Sequence, residues 1–216
     1  MSQIKLLHSG GNGVILSAPD SNPASDRTLK LPGDTNSTVD TLNRAGNILQ
    51  VVSTTKTDTF SHNTQTPTLI TGLTATITPS SSSNKVKISV DISCSPSNST
   101  YTCWFFLYKG GSEISGATGD AGQANQDRAF KSCRGSTTND PVNVSGTFLD
   151  SPSTTSATTY QVYMSVESGI TNYINMQAQN ANVVYNPRTV SSITLEEVAA
   201  CQANSNLYIL VVIRFR

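Results

Sequence analysis

The sequence has few charged residues and few aromatic ones. Of its 216 residues, 13% are charged and 6% are aromatic, and the 14 basic residues balance the 14 acidic ones. A chain without an excess of Lys and Arg is a poor nucleic-acid binder, because such proteins neutralise phosphates with basic side chains. Attachment to an anionic membrane by charge is disfavoured for the same reason. We therefore predict no nucleic-acid partner.

Long hydrophobic segments are also missing. The N-terminal residues lack the roughly 7–15-residue apolar stretch of a secretory signal peptide. The longest apolar run, LYILVVIRFR at 207–216, is about half the length of a membrane-spanning helix. We expect no membrane insertion, and we expect assembly in a cytoplasm.

Cysteine and histidine are scarce and do not form metal-binding patterns. The four cysteines have no CxxC spacing, and the two histidines, His8 and His62, are far apart in the chain. No metal or other cofactor is predicted. Two alternatives remain for Cys94 and Cys103: a disulfide across the turn SPSNST, or buried free thiols. The second is favoured, since a cytoplasm keeps thiols reduced.

Catalytic motifs are missing as well. The sequence contains no GxSxG elbow, no phosphate-binding loop and no HExxH. Glu196 and Glu197 are adjacent on a predicted strand and should point to opposite faces, so they cannot act as a paired acid and base. We predict that the protein is not an enzyme.

Short alternating runs separated by turn residues are what the sequence does contain. Ser and Thr supply about a quarter of the residues, and β-branched runs punctuated by Gly, Pro and Asn predict an all-β fold. The clearest run is Val86, Ile88, Val90 and Ile92, which alternates strictly after the turn PSSSSN. From residue 47 onward, eight or nine such strands predict a jelly-roll β-sandwich head over 47–216.

Residues 1–46 form a different region. It holds three short alternating runs, at 2–7, 13–20 and 26–34, and no aromatic residue. So few large apolar side chains cannot offset the conformational entropy of ordering the whole region. We therefore predict that two further copies of the chain cover it, as a short interleaved trimeric β-stem.

Several segments resemble a known family. GNILQVVSTTKTDTFS, GLTATITPSSSSNKVKISVDIS, FFLYKGGSEI, GTFLDSPSTTSATTYQVYM and SSITLEEV occur in this order. They resemble the C-terminal β-sandwich of tail-fibre and fibre-like virion proteins of tailed phages, especially phages of marine cyanobacteria. GNGVILSAPDSNPASDRTLKLPG is similar to the stem repeat that precedes such heads. The resemblance covers roughly residues 10–198, and LDSPSTTSATTY is its most specific part.

The resemblance implies a virion protein with a binding role. It implies a homotrimer that contacts other virion proteins and attaches to a glycan or receptor on the host surface. A capsid decoration or cement protein is the alternative, and a surface-glycan hydrolase is less favoured. The family pattern ends near SSITLEEV, so the remaining strand-like tail is interpreted as a virion-docking strand, with one face formed by Leu207, Ile209, Val211 and Ile213.

Candidate site residues follow from these expectations. The trimer interface or core is predicted to include Leu6, Ile15, Leu29, Leu31, Trp104 and Phe106. Possible receptor contacts are Tyr160, Tyr173, Tyr185, Asp120 and Asn125. The segment 111–129 has no run of large apolar residues and is predicted to be the most variable loop.

Overall fold

A computed structural model describes residues 3–7, 13–17, 45–120, 122–135 and 141–200, the first two ranges as backbone only. The strands are, in chain order, β1 (Gln3–Leu7), β2 (Gly13–Ser17), β3 (Ile48–Lys56), β4 (Phe60–His62), β5 (Thr68–Ile77), β6 (Lys85–Pro96), β7 (Cys103–Lys109), β8 (Ser112–Glu113), β9 (Lys131–Cys133), β10 (Val142–Asp150), β11 (Thr158–Val166), β12 (Asn172–Ile174) and β13 (Ser191–Val198). Within these ranges the one helical element is a 3-10 turn at Ser115–Ala117. Nothing helical in the described parts of the chain has the length and apolarity that crossing a membrane requires.

The N-terminal strands form a hairpin of their own. β1 pairs antiparallel with β2, with Leu6 opposite Val14 and Ile15 opposite Lys5. This hairpin and the strands from β3 onward belong to two separate compact units. Leu29 and Leu31 lie outside the described residues. The trimeric stem and its boundary at residue 46 therefore stay predictions.

The first sheet of the larger unit is built around β6. β10 pairs along one side of β6, with Val142 opposite Cys94 and Asp150 opposite Val86. On the other side, β13 pairs with the first part of β6 and β12 pairs with its last three residues. β3 and β4 extend the sheet beyond β13 and β12. The chain leaves the sheet after Lys56 and returns to it at Phe60.

The second sheet is built around β11, which lies between β5 and β7. The short strands β8 and β9 pair with opposite ends of the free side of β7. The pairs β3/β4, β8/β9 and β12/β13 each occupy a single strand position in their sheet. The larger unit then has eight strand positions, numbered 1 to 8 along the chain. Their order across the sheet is 1-8-3-6 in the first sheet and 2-7-4-5 in the second. This is the strand order of a jelly roll. The all-β sandwich prediction is confirmed.

The core lies between the two sheets and follows the alternation of the strands. Val86, Ile88, Val90 and Ile92 of β6 all point inward and are at most 4% exposed. They pack with inward residues of the second sheet, including Phe105 and Leu107. Strand periodicity alone sets this pattern, because successive side chains of a strand point to opposite faces.

Tyr160 belongs to this core, and the prediction that it contacts a receptor is wrong. The residue is 0% exposed, and its hydroxyl donates a 2.6 Å hydrogen bond to Oδ2 of Asp150. The same carboxylate oxygen accepts a hydrogen bond from Nζ of Lys109 at 2.9 Å. Burial, together with this acceptor, raises the pKa of Tyr160. The large ring fills the sandwich interior, and the buried carboxylate satisfies its polar tip.

Candidate functional site

A cleft of about 850 Å³ opens at one end of the sandwich. The loop that joins β8 to β9 lines one part of the cleft, and the start of β7, where Trp104 lies, lines another. Glu167, which follows β11, and Gln65, which precedes β5, complete the rim. The cleft therefore uses loops carried on both edges of one rigid sheet, an arrangement in which binding residues are common.

Trp104 is placed in the cleft by the alternation of β7. Cys103 and Phe105 point into the core, so Trp104 points to the outer face of the second sheet. Its neighbours across the ladders are Ser165 on β11 and Ser132 on β9. Trp104 is half-buried between these small residues and lines the cleft.

The loop is shaped by side-chain hydrogen bonds to its own backbone. Oδ1 of Asp120 accepts from the backbone N–H of Gly122 at 3.1 Å, and Oε1 of Gln126 accepts from the N–H of Gln123 at 2.8 Å. Nε of Arg128 donates to the carbonyl of Gly119 at 3.0 Å. Such local bonds fix a loop that has few apolar residues to bury.

Phe130 and Lys131 anchor the other end of the loop. The backbone N–H of Phe130 donates to the carbonyl of Phe105 at 2.9 Å, and Nζ of Lys131 lies 5.4 Å from the centroid of the Phe130 ring. Both side chains pack against Gly146 of β10, where even a Cβ atom would come within 2.8 Å of the ring. Glycine is needed at this position because of this close approach.

The cleft combines an aromatic ring with charged groups of both signs and with amide groups. Asp120, Asp127 and Glu167 supply carboxylates, and Arg128 and Lys131 supply cations. Asn125 and Gln126 add amides that both donate and accept hydrogen bonds. This set suits a ligand with many hydroxyl groups and an apolar ring face, which the indole can cover while the polar groups fix its orientation.

The structure brings together some of the predicted receptor contacts and separates others. Asp120 and Asn125 line the cleft together. Tyr173 is half-buried on β12 and Tyr185 is 72% exposed in the β12–β13 loop, but neither lines the cleft. Asp120 also caps its own turn, as Asp does in general.

Trp104 and Phe106 are both predicted from the sequence to be interface or core residues. Both lie on the outward face of β7, but Phe106 is covered there and 5% exposed, while Trp104 is half-buried and lines the cleft. The signal that could have found Trp104 is the alternation of β7, in which Cys103 and Phe105 already supply the inward residues. Glu167 was missed, because only the fold brings this residue beside the loop, and Arg128 was not singled out although it lies in the loop itself.

Three cysteines lie inside the sandwich as free thiols. Cys94 and Cys103 are not bridged, and the sulfur 3.4 Å from Sγ of Cys94 is that of Cys133. The described side chains contain no group of three or more His, Cys, Asp or Glu residues arranged to hold a metal ion. His62 instead lies within hydrogen-bond distance of the carbonyl of Thr66 and the hydroxyl of Thr64. His8 lies outside the described residues, as do Leu207, Ile209, Val211 and Ile213.

Comparisons with known proteins give weak structural similarity only. No protein-family model matches the chain, and no curated protein matches it. The chain is similar to the structure of T=1 particles derived from infectious bursal virus, with 16% identity and a TM-score of 0.38, over 81% of this chain and 41% of that chain. It is also similar to the structure of infectious bursal disease virus, Gx strain, with 14% identity and a TM-score of 0.35, over 87% of this chain and 50% of that one. The chain thus spans half or less of the length of these viral proteins.

Proposed function

We propose that this protein is a structural protein of a virion and that it attaches the particle to a saccharide on the host-cell surface. The observation that carries the proposal is the cleft that Trp104, Asp120 and Asn125 line together. An indole ring flanked by amides and carboxylates binds a sugar by stacking on its apolar face and by hydrogen bonds to its hydroxyls. The virion context comes from the resemblance of the quoted segments to tail-fibre heads.

One open cleft of this kind binds weakly, and display on several copies compensates for this. In the predicted trimer, three heads raise the effective concentration of each site for a repeating surface polymer. The proposed role is binding without turnover. A reducing-end assay on the bound polysaccharide should therefore detect no released sugar, whereas steady release would indicate a hydrolase.

The experiment exploits the single tryptophan of the chain. The purified protein is first tested on an array of bacterial surface polysaccharides, and soluble oligosaccharide from the best binder is then titrated against it. Because Trp104 lies in the cleft, its fluorescence should change and saturate with the ligand. Asn125→Ala should weaken binding at least several-fold, since a lost polar contact is worth about 1 kcal/mol.

Tyr185→Ala supplies the matched control. Tyr185 is exposed, but it does not line the cleft, so its removal should leave the titration unchanged. The proposal is wrong if no polysaccharide binds. It is also wrong if Tyr185→Ala abolishes binding to the array while Trp104→Ala leaves it intact.

A further inference from the structure

Three thiols meet in the core at one end of the sandwich. Cys94 comes from β6 of the first sheet, and Cys103 and Cys133 are directly opposite each other on β7 and β9 of the second. The sulfurs of Cys94 and Cys133 are 3.4 Å apart, so a contact between thiols bridges the two sheets. These residues lie 39 positions apart in the sequence.

Cys133 differs from its two neighbours in both exposure and acidity. It is 7% exposed, while Cys94 is 1% and Cys103 is 0% exposed. Hydrogen bonds from the thiols of Cys103 and Cys94 lower the pKa of Cys133 to about 4, although burial opposes them. The pKa values of Cys94 and Cys103 are raised by the same hydrogen bonds and by burial. All three thiols are buried, but Cys133 has the largest exposed fraction and the lowest pKa of the three. It is thus the thiol that most readily forms the thiolate, which is the form that reacts.

We propose that Cys133 and Cys94 form a disulfide between the two sheets when the protein meets a small oxidant such as hydrogen peroxide. The three thiols are free in the structure. A chain that is folded with free thiols in a reducing cytoplasm would gain a covalent link between its sheets after release. This inference does not depend on the saccharide cleft.

The reaction balances with hydrogen peroxide as the two-electron oxidant. The Cys133 thiolate attacks one peroxide oxygen, hydroxide leaves, and a sulfenic acid forms on Cys133. The sulfur of Cys94 then attacks the Cys133 sulfur, and the sulfenic oxygen leaves as water, taking up the Cys94 proton. Peroxide is small enough to reach a sulfur with little exposure. The bond requires the two sulfurs to approach from 3.4 Å to about 2 Å.

The experiment uses the full chain with Cys201→Ser, so that this fourth cysteine cannot contribute. The protein is treated with dilute hydrogen peroxide and examined by intact mass without reductant. The expected result is a loss of about 2 Da, the mass of two hydrogens, which dithiothreitol reverses. Trypsin leaves Cys94 and Cys103 on one peptide, because no Lys or Arg lies between them. A second cleavage after Tyr101 separates them, and the linked peptides should contain Cys94 and Cys133.

Two variants keep the test decisive. Cys103→Ser should still form the link, because Cys94 and Cys133 are both present. Cys94→Ser should lose it. Oxidation should raise the melting temperature by about 10 °C, since closing a loop of this length constrains the unfolded chain. The proposal fails if the mass does not fall, or if the link formed in the Cys201→Ser protein joins Cys103 to Cys133.

Discussion

The side-chain amide of Asn84 donates a 2.6 Å hydrogen bond to Oε1 of Glu197, a residue 113 positions away in the sequence. The same oxygen accepts from the backbone N–H and the hydroxyl of Ser80, at 2.6 and 2.7 Å. The other carboxylate oxygen accepts from Nε2 of Gln50 at 2.6 Å. Glu197 is 1% exposed, so this buried carboxylate ties the β5–β6 turn to β13 and β3.

Glu197→Gln should therefore destabilise the fold. The new amide nitrogen would face donors at whichever oxygen position it takes, and a buried donor without an acceptor is costly. We expect the free energy of unfolding at pH 7 to fall by about 2–3 kcal/mol, as measured by urea denaturation. Glu196→Gln is the matched control, because Glu196 pairs with Lys87 on the outer face. Its effect should stay below about 1 kcal/mol. Equal losses for the two variants would contradict the buried role of Glu197.

The same carboxylate predicts a loss of stability in acid. Burial raises the pKa of Glu197, but the hydrogen bonds from Asn84, Gln50 and Ser80 outweigh burial and leave the pKa below its ordinary value of 4.5. A lowered pKa in the folded state contributes stability that is fully present above the unfolded pKa and is lost as the pH falls through the folded pKa. Urea denaturation of the wild type and of Glu197→Gln, from pH 7 down to pH 3, should show the difference between them shrinking below about pH 4.5. A difference that is constant with pH would contradict the assignment.

Asn175 predicts a second sensitive position. Its Nδ2 donates to the carbonyls of Lys56 and Asp58 at 2.8 and 2.9 Å, and its Oδ1 accepts from the hydroxyl of Ser191 at 2.6 Å. These bonds link the segment between β3 and β4 to the segment between β12 and β13. Asn175→Ala should lower the free energy of unfolding by about 3 kcal/mol or more.

A glycine variant separates the two causes of that loss. Asn175 has a φ of 62°, a left-handed conformation that Asn tolerates and Ala does not. Asn175→Gly removes the same hydrogen bonds without the backbone strain, so it should be about 1 kcal/mol less destabilising than Asn175→Ala. Chemical denaturation of both variants checks this order, and the reverse order would refute the strain argument.

Tyr160→Phe tests whether this residue is a core residue and not a receptor contact. Removing the hydroxyl leaves the buried Asp150 carboxylate with Lys109 alone and should cost about 1–3 kcal/mol of stability. Binding to the polysaccharide array should not change, since Tyr160 has no exposed surface. A stable variant with impaired binding would instead indicate that Tyr160 contacts the ligand.

Gly146→Ala should disturb the cleft, because Phe130 and Lys131 line it and pack against Gly146. The added Cβ would lie within 2.8 Å of the Phe130 ring and would also collide with Lys131, so both side chains must shift. Overpacking of this kind costs about 1–3 kcal/mol, and saccharide affinity should fall with it. Gly119→Ala is the control for stability, because a Cβ there meets no atom within 4 Å. Thermal unfolding of both variants measures the difference, and similar melting temperatures would contradict the packing of Phe130 on Gly146.

Glu196 and Glu197 point to opposite faces of β13, and they show how much strand periodicity alone can predict. Alternation alone predicts that they point to opposite faces, and the structure confirms it. Which of the two is buried depends on the face of β13 that meets the second sheet. The four hydrogen bonds to Glu197 come from partners that only the fold assembles, so no local pattern could have revealed them.

The all-β class and the inward and outward positions of the clearest strands follow from the order of the residues alone, because side chains of a strand alternate with a period of two. Three other features emerge only when the chain folds: Cys94 meets Cys133 and not Cys103, Tyr160 lies in the core, and Trp104 shares a cleft with Asp120 and Asn125. Each of these depends on which strands become neighbours across the two sheets. That choice is made by burial and pairing summed over distant segments, and a short stretch of sequence does not contain it.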